Sequence, residues 1–93
     1  MAKRERRPRL LLVEWIDSEF VQEGWKSLAE LAEYAGPGPC HSVGWEIKGK
    51  AKGHLMLACS LFGDGTEDDP YHAGEAITIP RVNIKRTRVL GQS

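Results

Sequence analysis

No C-x-x-C and no H-x-x-x-H spacing occurs in this chain, although Cys40, His41, His54, Cys59 and His72 are all potential metal ligands. Structural zinc is held by such closely spaced pairs, so no metal site is expected. Nor is there an apolar run near the roughly 20 residues that cross a bilayer as a helix. The apolar stretch at 10–13 is cut off by Glu14. Neither a membrane helix nor a signal-peptide core is expected, and the predicted location is the cytoplasm, where two cysteines remain free thiols.

Chemistry is equally scarce. No glycine-rich phosphate loop precedes a helix, because "GPGP" follows one. "DGTEDD" lacks the alternating ligands and distant glutamate of a calcium loop. Cys40 and His41 are neighbours in an extended segment and project to opposite faces, so they do not form a nucleophile–base pair. A non-catalytic protein without a cofactor is expected.

Net charge is also missing, with 13 basic residues against 13 acidic ones, yet the charges are segregated. The start carries Lys3, Arg4, Arg6, Arg7 and Arg9 against Glu5, and the closing "RVNIKRTR" adds Arg81, Lys85, Arg86 and Arg88 with no acid. Between positions 14 and 33 there are six acids against Lys26. Basic ends and an acidic middle suit either head-to-tail self-association or contact with phosphate groups. Residues 1–8, ending in Pro8, read as a flexible basic tail, and residues 9–93 as one small domain.

What is present is β pattern. "RLLLVEWI" predicts a first strand, nearly continuous in apolar residues. "SLAELAEYA" predicts the only helix, with Ser27 and Glu30 in capping-box spacing and Gly36-Pro37 as its stop. "SVGWEIK" and "HLMLACSL" alternate as a hairpin around "GKAKG". A long polar loop, "FGDGTEDDPYHAGE", leads to "AITIP". "RVNI" predicts a helical turn, and "KRTRVL" a closing strand. Five strands with a helical turn before the last suit a small SH3-like or Sm-like five-stranded barrel, mainly β with one short helix.

Pairing Lys48 with His54 places Val43, Trp45 and Ile47 opposite Cys59, Leu57 and Leu55, on one interior face. Cys40 then points away from Cys59. Ser42, Gly44, Ala58 and Ser60 form an outer wall of minimal side chains, available to a neighbouring subunit's strand, a nucleobase or the helix. Trp15 is expected in the core. Trp25 is expected to close one end of the barrel, with Asp17 and Ser18 in the turn between the two indoles. Arg86 and Arg88 share a face of the last strand. The candidate binding residues are therefore Asp17, Trp25, Ser42, Gly44, Ala58, Ser60, Arg81, Arg86 and Arg88.

The motifs "W-x-D-S" (Trp15, Asp17, Ser18), "C-x-S-V-G" (Cys40, Ser42, Val43, Gly44) and "IP-x-x-x-I" (Ile79, Pro80, Ile84) resemble those of a group of short bacteriophage and prophage proteins. That resemblance implies a phage-encoded accessory protein in the host cytoplasm and supplies no catalytic residues. The expected function is a homo-oligomeric module that binds a host or phage protein. The alternative is a barrel that captures a nucleotide or RNA through Trp25, Ser42 and Arg81.

Overall fold

The structure, a computed structural model, describes residues 4–17 and 24–91. Its elements are β1 (Leu10–Ile16), α1 (Leu28–Ala32), β2 (Pro39–Ile47), β3 (His54–Phe62), β4 (His72–Pro80), a three-residue 3-10 turn η1 (Arg81–Asn83) and β5 (Ile84–Gly91). Apolar alternation and the punctuating Gly and Pro residues thus place every expected strand and turn. The chain is mainly β, a single antiparallel sheet in the order β4-β3-β2-β1-β5.

The sheet is rolled but not closed. Flat, four interstrand gaps of about 4.8 Å would set the outer strands roughly 19 Å apart. Pro80 ends β4 and Ile84 begins β5, and four residues reach at most about 14 Å even when fully extended. The sheet must therefore curl to let η1 carry the chain from one edge to the other. Among the described residues β4 and β5 do not pair, so the expected closure into a barrel is not made. The radius of gyration, 18.2 Å, exceeds the roughly 12 Å of a compact chain of this length.

The register between β2 and β3 differs from the expected one by a single residue. Trp45 lies opposite Ala58, Glu46 opposite Leu57 and Ile47 opposite Met56. An odd step moves one strand's side chains to the other face. Judging β2 and β3 alone, the apolar residues match best in the even register; the neighbouring strands decide otherwise. β1 sets Leu11 opposite Gly44 and Val13 opposite Ser42, while β4 sets Ile79 opposite Leu55 and Ile77 opposite Leu57. Only the odd step brings Leu55 and Leu57 to the side of Leu11, Val13 and Ile79, which together form the buried core, with Trp15 and Ile84 against it. Four strands sharing one interior outweigh two strands matched in isolation.

Gly44 makes this packing possible. A Cβ there would stand 2.9 Å from the Ala58 carbonyl oxygen and 3.0 Å from the Leu57 Cβ. The glycine leaves the space in which Leu11 and Leu57 meet across β2. Trp45 and Ile47, expected inside, turn to the outer face and remain half-buried there.

The helix forms without burying a residue. Ser27 accepts the Glu30 N–H at 3.1 Å, as the capping-box spacing predicts. No residue of α1 is buried, and Leu28 is 85% exposed. Of its apolar residues only Leu31 is half-buried; Ala32 and Ala35 are exposed.

Candidate functional site

A recess lies between the N-terminal segment and the distal end of the β3–β4 hairpin. β3 pairs with β2 only as far as Ala58, then continues with β4 alone to Phe62. The connection at 63–71 is tied by its own polar groups. Thr66 N–H donates to Asp64 Oδ1 at 2.9 Å, Asp69 N–H donates to Thr66 Oγ1 at 3.1 Å, and Gly65 N–H donates to the Asp69 carbonyl at 3.0 Å. The bonds from Thr66 hold the Asp64 carboxyl below its ordinary pKa, with the Arg4 charge adding a smaller pull. The expected long loop is thus shorter than its sequence suggested, because β4 already begins at His72.

This loop receives the N-terminal segment. Glu5 N–H donates to the Gly65 carbonyl at 2.6 Å, and Tyr71 N–H donates to Glu5 Oε1 at 2.9 Å. Gly65 has φ +82°, and a Cβ on it would fall 2.5 Å from the Tyr71 ring and 3.0 Å from the Glu5 carbonyl oxygen. Only glycine allows that approach. Four residues later the segment is pinned again: Glu46 N–H donates to the Arg9 carbonyl at 2.8 Å, and Arg9 Nε meets Glu46 Oε1 at 3.0 Å. Glu46, first as hydrogen-bond acceptor and then as opposite charge, raises the Arg9 guanidinium above its ordinary pKa.

Between the two pins, Arg6, Arg7 and Pro8 form one wall of a cleft of about 810 Å³. Ile47, Lys48, Leu61 and Tyr71 are among the residues opposite. Arg7 lies over the Trp45 ring, 6.0 Å from its centroid, a cation–π arrangement that steadies a long side chain. Among the described residues Arg6, Arg7 and Lys48 make no salt bridge.

The residues singled out in the sequence do not gather at one site. Ser42 points to the inner face, where its Oγ accepts the Trp15 indole N–H at 3.1 Å. Gly44 shares that face and is buried. Ala58 and Ser60 belong to the other face, Ala58 fully buried and Ser60 exposed. The expected wall of small side chains is thus divided by the sheet itself. Trp25 closes nothing; it is 103% exposed. Asp17 is exposed, and Ser18 lies outside the described residues. Arg81 is spent on the β2–β3 turn, its N–H on the Gly53 carbonyl at 2.9 Å and its Nε near the Lys52 carbonyl. The nucleotide contacts expected from Trp25, Ser42 and Arg81 therefore do not converge.

Arg86 and Arg88 do share a face, opposite Glu14 and Leu12 of β1. Arg86 Nε binds Glu14 Oε2 at 2.7 Å, leaving Arg88 as the cation beside it. Cys40 and Cys59, expected on opposite faces, have the same parity in the observed register, and both are free thiols. Among the described residues no group of three His, Cys, Asp or Glu is placed to hold a metal ion, and no helix is long and apolar enough to cross a membrane.

The cleft residues Arg6, Arg7, Lys48 and Tyr71 were not apparent as a group from the sequence, where they fall in a tail, a turn and a loop. The lone Glu5 within a basic run was the available signal, since it is the residue that anchors the segment. No family model, curated protein or solved structure matches the chain.

Proposed function

We propose that this chain is a non-catalytic, phage-encoded accessory protein of the host cytoplasm that works as a homo-oligomer and engages a host or phage protein through its sheet edges. The observation that carries this reading is the pair of open edges, β4 and β5. An unpaired edge offers a row of N–H and C=O groups to another strand. Each edge also holds a half-exposed apolar residue on the inner face: Ile77 on β4, 47% exposed, and Val89 on β5, 44% exposed. Pairing β4 of one copy with β5 of the next would extend the inner apolar layer across the joint. Such a heterologous contact closes into a ring when the rotation permits.

The strand order and the 3-10 turn before the last strand support an SH3-like or Sm-like architecture, with closure supplied between copies. Charge supports the same pairing. β5 brings Lys85 and Arg88, while β4 and its preceding loop bring Glu75, Glu67 and Asp68. Only six apolar side chains are buried among the described residues, few for a chain of this length, so association adds burial that a single copy lacks.

The test is the native mass of the purified chain beside two variants, Ile77→Lys and Val89→Glu. The expected result is an oligomer for the parent and a folded monomer for each variant, with partner recovery lost in parallel. A monomeric parent, or an oligomer indifferent to both changes, would refute the reading.

A further inference from the structure

The cleft beneath the N-terminal segment has the makings of an anion site, independent of the sheet edges. Four basic side chains line it, Arg6, Arg7, Arg9 and Lys48, against two carboxylates, Glu5 and Glu46. Both carboxylates are already engaged. Glu46 is bound by Arg9, and Glu5 accepts the Tyr71 N–H. With Arg9 and Glu46 paired, the lining keeps three cations, Arg6, Arg7 and Lys48, against the single charge of Glu5, gathered by two pins that hold the backbone at Glu5 and at Arg9. Like charges held together in a concave site repel one another and favour an incoming polyanion.

The wall is held in place rather than draped. Arg7 rests over the Trp45 ring, which supplies no hydrogen-bond acceptor, so its N–H groups keep their donor capacity for a ligand. The Tyr71 ring lies close against Gly65. Arginine forks suit phosphate oxygens in pairs, and lysine adds a point charge. A volume of about 810 Å³ falls within the range of small-molecule sites.

We propose that this cleft binds the polyphosphate group of a small ligand, with Arg6, Arg7 and Lys48 as its contacts. The group has two natural sources, a nucleoside polyphosphate or a free polyphosphate. The Tyr71 ring and the Ile47 and Leu61 side chains give a base somewhere apolar to rest.

The experiment is calorimetric titration of the full chain with ADP, with pyrophosphate and with a single-stranded oligoribonucleotide. The variants are Arg6→Ala/Arg7→Ala, Lys48→Ala and Tyr71→Leu, with Arg88→Ala as a control outside the cleft. Circular dichroism confirms that each is folded. ADP and pyrophosphate are both expected to bind, and each cation variant to weaken both by about tenfold or more. Arg88→Ala is expected to change neither. A Tyr71→Leu loss confined to ADP identifies the nucleotide as the source, whereas equal retention of both ligands identifies free polyphosphate. The proposal falls if neither ligand binds, if only the oligoribonucleotide binds, or if Arg88→Ala weakens binding as much as the cleft variants. A monomeric chain would keep this cleft, so failure of the oligomer reading leaves these outcomes unaffected.

Discussion

The inner face of the sheet and the rim of the cleft hold their shape by different physics. The inner face is Leu11, Val13, Leu55, Leu57 and Ile79, all buried, with no buried charged or polar side chain among the described residues. The rim is Glu5, Arg9, Glu46 and the 63–71 loop, fixed by hydrogen bonds and one ion pair between polar groups that are mostly exposed or half-buried. Apolar burial is large, indifferent to pH and scarcely screened by salt. Exposed polar pins are individually weak and respond to both. The sheet should therefore survive conditions that undo the cleft.

The sharpest way to break that contrast is Leu57→Ala. Removing a fully buried leucine from so small a core is expected to cost roughly 2–5 kcal/mol, read as a lower denaturation midpoint that is the same at low and high salt. A loss under about 1 kcal/mol would mean that the inner face is not what holds the fold.

A smaller effect tests the register itself. Gly44→Val places a side chain against the Ala58 carbonyl and Leu57, and overpacking of this kind costs about 1–3 kcal/mol. Its neighbour Val43 is 56% exposed on the other face, so Val43→Thr should stay within about 0.5 kcal/mol. In the even register the two positions would exchange sensitivities.

The smallest effect belongs to the rim. The Asp64 carboxyl is lowered by the hydrogen bonds from Thr66. A lowered carboxyl contributes stability above its unfolded pKa of about 3.9 and loses that contribution as the pH falls through the folded value. Amide protection at Thr66 and Asp69, measured against the intrinsic exchange rate at each pH, should fall on acidification through that window, while amides of Leu55 and Leu57 keep theirs. Asp64→Asn should remove the pH dependence. Simultaneous loss of protection at both places would show that loop and sheet are one cooperative unit.

These comparisons also explain what could be read from the sequence. Strand positions were legible because alternation, proline and glycine act locally. The Ser27 cap and the η1 turn were legible for the same reason. The β2–β3 register was not, because it is set by Leu11 on β1 and Ile79 on β4, far away in the chain. The small-residue wall failed with it: Gly44 is small so that the core can close, and Ser42 so that it can receive the Trp15 N–H. The cleft was hidden because Glu5 and Gly65 meet across 60 positions, and neither belongs to a pattern that marks a partner.

The three-residue link at η1 also shortens one long-range search in folding. Val13 and Thr87 pair although 74 positions separate them, and closing so long a loop from the unfolded chain is entropically slow. Once the hairpins β2–β3 and β3–β4 have formed, η1 delivers the last strand to the first with almost no search. The ladder between the chain's two ends thus depends on local hairpins for its bridge, and β5 is expected to gain amide protection after β3 and β4 in a pulsed-exchange refolding experiment.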